Sequence, residues 1–412
     1  MSSDATKSHF RRRDANGKNI PPRQPCGLYI HTPFCETKCG YCDFYSVALK
    51  DRDPAPLVDA VIAELHRRLS SRGHVSTIFI GGGTPTVLPT CELARLLDAV
   101  TACVDMATVV EFTVEANPAT VDDEKARILV EHGVTRVSMG AQSFFADELA
   151  ALERLHTPDD IAPSVDVLRR NGIENINLDL IFAIPGQTVQ RWLQSLRRAI
   201  DLNVEHVACY GLTYEPATRL TAQRNAGSVI PCDEDVEAGM FVRTREVLAD
   251  AGLRRYEISN FAIPGYPCKH NLIYWRNQTY VGVGPSAAGC VNARRYKNVA
   301  NINGYVRMMA EQGTAEIESE EISCETLMLE IILMQLRLVE GISIAAFRRS
   351  TGLDPIDVFG DALAGLVDDG LLTSDDSSIA LTENGMLVAN AVMAELAATI
   401  GPVSMSLPVI RQ

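Results

Sequence analysis

Three cysteines, Cys35, Cys39 and Cys42, fall within eight residues inside the stretch GLYIHTPFCETKCGYCDFYS (27–46). Thiolates are soft ligands suited to zinc or to iron–sulfur clusters. A structural zinc site wants a closed set of four ligands, commonly two separated C-x2-C pairs. No second pair exists here, so His31 or Asp43 would have to complete it. Three thiolates on one loop suit a [4Fe–4S] cube with one iron left open. An open iron binds a small molecule, so the count points to catalysis or exchangeable ligation. The remaining cysteines, Cys26, Cys91, Cys103, Cys209, Cys232, Cys268, Cys290 and Cys324, stand far apart, and the total of eleven is odd. That is not a secreted disulfide scaffold; it reads as a reducing, cytoplasmic protein whose isolated cysteines are small hydrophobes.

The elements that position the trio follow from periodicity. Strand-like runs lie at 27–32, 76–81, 109–115, 134–139, 175–182 and 205–212, with helix-period segments near 55–72, 90–104, 121–132, 159–171 and 187–202. In the first helix Leu57, Val61, Leu65 and Leu69 form one stripe at four-residue steps. Repeated strand–helix alternation predicts right-handed βαβ units and a parallel sheet, here a partial (β/α)6 barrel, with an open doubly wound sheet as the alternative. In such barrels chemistry sits on loops at the C-terminal strand ends. The polar and Gly-rich oddities fall there: the cysteine loop, Gly81-Gly82-Gly83-Thr84-Pro85, Glu115-Ala116-Asn117-Pro118, Gln142-Ser143, Asp179 with Pro185-Gly186 beyond it, and Tyr210-Gly211.

After residue 215 the pattern changes. The expected organisation is a polar, basic tail over 1–25, a core over 26–215, an extension over 216–315 carrying KHNLIYW, a helical, winged-helix-like C-terminal domain over 316–400, and a tail over 401–412. Residues 233–252 read as helix, as does the segment from 322, and 341–400 read as helix, helix, a 371–381 hairpin and a final helix. Winged helices often bind DNA, but none of these helices is basic, which favours a structural or docking role. The net charge of −14 also argues against nucleic acid and anionic membrane. No run of 18 apolar residues predicts a membrane span. In the first 25 residues Lys7, Arg11, Arg12, Arg13, Lys18 and Arg23 outnumber Asp4 and Asp14 without an apolar stretch, which is not a secretory signal.

The trio, with Tyr41 before its third cysteine and a strand before its first, resembles the radical S-adenosylmethionine (SAM) superfamily. The glycines of GGGTP look like that superfamily's SAM-binding motif, where bare backbone approaches the methionyl amine. GLYIHTPFC, GGGTPT, VEANP, GAQSF, LDLIFAIPGQT and CKHNLIYW together resemble the branch that holds oxygen-independent coproporphyrinogen III oxidase and the HemW family of heme chaperones, over residues 26–400. The resemblance implies a [4Fe–4S] cluster on Cys35, Cys39 and Cys42. It implies SAM contacts from Tyr29, Tyr41, Gly82, Gly83, Thr84, Glu115 and Gly211. Gln142, Arg154 and Asp179 match polar contacts that serve a second SAM in the oxidase; an ordinary barrel-end ion pair is an equal reading for Arg154 and Asp179.

Two positions separate the relatives. The oxidase carries a fourth cysteine two residues after the third; here that residue is Phe44, the form of the chaperone branch. The stretch Cys268-Lys269-His270-Asn271-Leu272-Ile273-Tyr274-Trp275 fits the chaperones' C-x-HN-x-x-YW pattern, linked to heme. His270 beside two large aromatics could ligate heme iron, with Asn271, Tyr274 and Trp275 around the macrocycle and Cys268 as the other ligand. The same residues also read as a buried polar corner. The expectation is a heme chaperone that hands heme to an acceptor hemoprotein, with a homodimer left open. The alternatives are the radical SAM oxidase and a zinc-bound barrel without radical chemistry.

Overall fold

The computed structural model describes residues 26–69 and 74–400; the expected tails and the last residues of the expected 55–72 helix lie outside these. Six strands, β1 (Cys26–Thr32), β2 (Thr77–Gly82), β3 (Glu111–Ala116), β4 (Arg136–Gln142), β5 (Asn175–Phe182) and β6 (His206–Gly211), lie side by side in chain order, all parallel. Between them run α1 (Ala55–Arg68), α2 (Thr90–Cys103), α3 (Asp123–Glu131), α4 (Ile161–Arg170) and α5 (Val189–Asp201). This is the expected six-unit α/β core.

The two-residue side-chain period explains how this core carries a site. Leu28, Ile30, Ile78, Ile80, Phe112, Val114, Val137, Met139, Ile176, Leu178 and Val207 share one apolar core with Leu57, Val61 and Leu65 of α1 and Trp192 and Leu196 of α5. The alternate positions are polar or aromatic. Tyr29 and His31, Phe79 and Gly81, Thr113 and Glu115, Ser138 and Gly140, Asn177 and Asp179, and His206 and Tyr210 occupy the opposite faces of the same strands. The helices therefore cover an oily face, and the polar face is left for chemistry.

The sheet does not stop at six strands. Beyond β6 come antiparallel β8 (Asn260–Ala262) and then β7 (Arg254–Arg255). Beyond β1 come parallel β9 (Thr279–Val283), then antiparallel β10 (Ala288–Val291), β11 (Arg294–Asn298) and β12 (Glu316–Glu321). The result is one open sheet of twelve strands. These extra strands are short, and the outermost reads EIESEE, a charged edge that resists strand-to-strand aggregation and shows no apolar alternation. Residues 324–398 build a second core from five helices and three short strands, with Ile342, Phe347, Phe359, Leu363, Ile379 and Leu396 at its centre. The expected hairpin is there, joined by a third strand, Ile342–Ser343. Arg255 pins this unit to the barrel: its guanidinium lies over Phe241 and Phe261 and reaches Glu383 at 3.3 Å.

Candidate functional site

The cysteine loop leaves the C-terminal end of β1 and is tied off at its base. Val47 N–H donates to Pro33 O, and Leu49 N–H to Cys35 O, each at 2.8 Å. Cys35, Cys39 and Cys42 are half-buried free thiols inside this closed excursion. His31 does not join them. Its Nε2–H donates to Tyr45 O at 2.9 Å, which leaves Nδ1 to accept the Tyr29 hydroxyl at 2.8 Å. Burial lowers its pKa to about 4, so the ring is a neutral strut. Among the described residues no three His, Cys, Asp or Glu side chains converge on a single metal position.

Thiols and barrel are joined by a ring of hydrogen bonds. Arg154 Nη1 donates to Cys39 Sγ at 3.5 Å, and Nη2 to Asn117 Oδ1 and Gly140 O, each at 2.6 Å. Asn117 Nδ2 donates to Thr84 Oγ1 at 2.9 Å, and Thr84 Oγ1 to Cys35 Sγ at 3.8 Å. Arg154 thus braces the cysteine loop against the strand ends. The sequence places Asn117 at its strand end but gives it no role there; the fold makes it the link between Arg154 and Thr84.

The glycine motif packs against this ring without room for side chains. A Cβ on Gly81 would sit 2.6 Å from Glu115 Oε2, and one on Gly83 would sit 2.5 Å from Phe34 O. Gly82 has φ +98°, and its N–H donates to Glu115 Oε2 at 2.9 Å. Glu115 and Asp179 face each other across the polar face. Burial first, then Asp179, pushes Glu115 up to about 8, against the Gly82 N–H. Burial likewise raises Asp179, opposed by hydrogen bonds from Asn177 and Ser138 and by Arg136 and Arg154. Two acids so placed resist ionising together, and positive charge nearby favours their ionised forms. Tyr41 packs on Leu152, Ile181, Leu212 and Leu220 beside Arg154. Gln142 is buried with φ +62°, where the β4–β5 register slips. Gly211 closes β6 against Phe182 and Glu237. The strap after β6 clamps the cysteine loop from above: Arg219 pairs with Glu153 and donates to Lys38 O at 2.6 Å, and Leu220 N–H donates to Gly40 O at 2.9 Å. Nothing before position 215 signalled this strap.

The CKHNLIYW stretch sits at the other end of the strands. The helix Lys269–Trp275 lies against Gly27, Thr77 and Glu111, at the N-terminal ends of β1, β2 and β3. Gly27 and Thr32 are five residues apart on β1, about 16 Å of strand. Glu111 caps the helix: it accepts the N–H groups of Lys269 and His270 at 2.8 and 2.9 Å. His270 is 0% exposed. Its Nδ1 is bonded to Thr77 Oγ1 at 2.8 Å and its Nε2 to Tyr274 Oη at 2.9 Å. Burial and then Arg136 lower its pKa to about 3. Both ring nitrogens have partners in this conformation, so a heme ligand role for His270 would require one of these bonds to be exchanged. Cys268 is buried as well, with its thiol on Glu111. Trp275 packs on Met334 and Leu338 of the C-terminal unit, while Asn271 and Tyr274 stay half-buried.

The six-unit parallel core thus carries a tied-off cysteine trio, a backbone-only glycine wall and an acid pair at one end of its strands. Residues 29–199 match the Radical SAM superfamily, and residues 322–388 match the HemN C-terminal domain. The structure is similar to coproporphyrinogen III oxidase (HemN) from Escherichia coli, a radical SAM enzyme, with TM-score 0.78 at 22% identity over 92% of this chain and 90% of that one. Proteins named heme chaperone HemW from Lactococcus lactis, Bacillus subtilis and Escherichia coli are 34%, 35% and 35% identical, over 90%, 88% and 90% of this chain and 97% of each relative. The chain belongs to the HemW family. No helix among the described residues is long and apolar enough to cross a membrane.

Proposed function

We propose that this protein is a cytoplasmic heme chaperone that binds heme and passes it to acceptor hemoproteins, and that it carries a [4Fe–4S] cluster with exchangeable SAM. The observation that carries the reading is full-length kinship with proteins named heme chaperone HemW, together with Phe44 where the oxidase has a fourth cysteine. Cys35, Cys39 and Cys42 hold the cluster, which when bound supplies an open iron and an electron. Gly82, Gly83 and Thr84 offer backbone to the methionyl end of SAM. Glu115 takes its amine or a ribose hydroxyl, and Asp179, facing Glu115, is a further polar contact of the SAM site. Tyr29, Tyr41, Gln142 and Gly211 shape the walls, and Arg154 holds the cysteine loop against the barrel. The thiols, backbone N–H groups and acid pair suit these two groups.

Heme contact at the motif belongs to this reading only for a state in which one of the two His270 bonds has been exchanged. His270→Ala is therefore expected to leave the cluster intact and to lower stability by about 2–3 kcal/mol, from two lost hydrogen bonds and a hole against Phe79. Urea unfolding and heme titration of the same variant check it. An unchanged unfolding midpoint with heme binding abolished would put iron on His270 instead.

The functional test uses anaerobically reconstituted protein. Heme is titrated while the Soret band is followed, transfer to an apo-hemoprotein is assayed, and coproporphyrinogen decarboxylation is assayed with SAM and a reductant. Stoichiometric heme binding and transfer without decarboxylation is the expected result. Decarboxylation with weak heme binding would replace the chaperone by the oxidase.

A further inference from the structure

We infer that the floor of the barrel is wired to its mouth by an oriented relay of hydrogen bonds through Tyr256, His206 and Asn177, which makes these three positioning residues for Asp179. The relay has one polarity, readable from its acceptor end. The Asp179 carboxylate accepts from Asn177 Nδ2 at 2.8 Å, and the same amide nitrogen reaches Ser138 Oγ at 2.7 Å. The amide oxygen therefore faces His206, whose Nδ1–H donates to it at 2.6 Å. His206 Nε2 is left as an acceptor and takes the Tyr256 hydroxyl proton at 2.9 Å. Tyr256 Oη in turn accepts the Cys268 N–H at 3.3 Å. That group can only donate, so both ends agree. Asn177 is 1% exposed and His206 0%, so the middle of the relay is shielded from water, while Tyr256 and Asp179 at its ends are half-buried.

Cys268 is the residue from which the floor helix starts, and the helix's next two N–H groups rest on Glu111. Any movement of that helix pulls the first donor off Tyr256. The relay then loses its fixed direction, and the Asn177 amide is free to turn away from Asp179. A ligand that displaces the Lys269–Trp275 helix is thereby felt at the mouth, where Asp179 is read as a SAM contact; the inference rests on that reading. The charged and titratable groups facing Asp179 are Arg136, Arg154, Glu115, Tyr41, Tyr210 and Cys209, and Arg136 also faces His206.

The test uses full-length, anaerobically reconstituted protein and follows SAM binding through the EPR signal of the reduced cluster. Tyr256→Phe keeps the ring and removes only the hydroxyl. It is expected to weaken SAM about five-fold near neutrality, the loss of one hydrogen bond. The acid limb of SAM affinity should move to higher pH, because Asp179 with less support as an anion holds its proton longer. His206→Gln, a second break in the relay, should reproduce both effects. Thr244→Val removes a buried bond of similar length to Trp192 Nε1, 2.8 Å, outside the polar face, and should move neither. Wild-type protein that fails to bind SAM would sink the site reading. Wild-type binding with an unmoved affinity and acid limb in Tyr256→Phe, or equal shifts in Thr244→Val, would overturn the relay alone.

Discussion

Cys39→Ser is expected to leave reconstituted protein without its cluster, with iron per chain and cluster absorbance falling to background. Serine keeps the size but replaces a soft thiolate with a hydroxyl that does not ionise near neutral pH. Two thiolates remain, of which Cys35 has the longer Thr84 hydroxyl bond, 3.8 Å, and neither has an arginine hydrogen bond. Arg154 Nη1 donates to Cys39 Sγ at 3.5 Å, and its other arm fixes Asn117 and Gly140. That brace acts on the ligand from outside, so Arg154→Leu is the graded companion: cluster retention under a chelator falls by about 10–100-fold, the usual cost of losing a ligand's support. Exposed Cys91 and Cys324 serve as controls, since their replacement by serine removes thiols equally without touching the loop. Full cluster content in Cys39→Ser would mean that the trio is not the ligand set.

The core was readable because its two faces obey different rules. Leu28 and Ile30, Ile78 and Ile80, and Val137 and Met139 carry an unbroken apolar signal on the helix-facing side, so each strand announced itself. The mouth was readable because glycines with no tolerance for Cβ, thiols and acids fall at strand ends, where a parallel barrel collects them. What stayed hidden depends on partners distant in sequence. Strands β9–β12 are short and polar on one edge, so no periodicity marks them. Asn117 is an ordinary turn residue until Arg154 and Thr84 arrive from 37 and 33 positions away. The histidine–aromatic motif looks like an open ligand set from composition alone. Only the fold reveals that Thr77 and Tyr274 already occupy both nitrogens of His270. His206 and Tyr256 gave no signal, because a buried neutral histidine is indistinguishable in sequence from any other.

Glu64→Ala is expected to lower stability by about 3–5 kcal/mol, the scale set by stranding buried polar groups around a deleted charge. In sequence Glu64 looks like one more surface acid of α1. In the fold it is 0% exposed and joins three elements. Its carboxylate accepts the Gly284 N–H at 2.9 Å, the Asn298 amide at 3.0 Å, the Tyr305 hydroxyl at 2.6 Å and Arg68 Nε at 2.7 Å. Asn298 and Tyr305 are themselves fully buried, so neither finds water as a substitute. Glu64→Gln should lose less, about 1–2 kcal/mol, because one oxygen still accepts while the new amide faces donors. Urea unfolding of both variants measures the difference, and an alanine variant within about 1 kcal/mol of wild type would show that the joint is not coupled as drawn. The effect should also reach the cluster. Gly284, held by Glu64, has φ +102° and lies so close to His31 that a Cβ there would fall 2.4 Å from His31 O. His31 in turn holds Tyr45 O at the far end of the cysteine loop. Loosening Glu64 therefore loosens the strut beneath Cys35–Cys42, and the alanine variant should lose iron faster under a chelator, in contact with no cysteine at all.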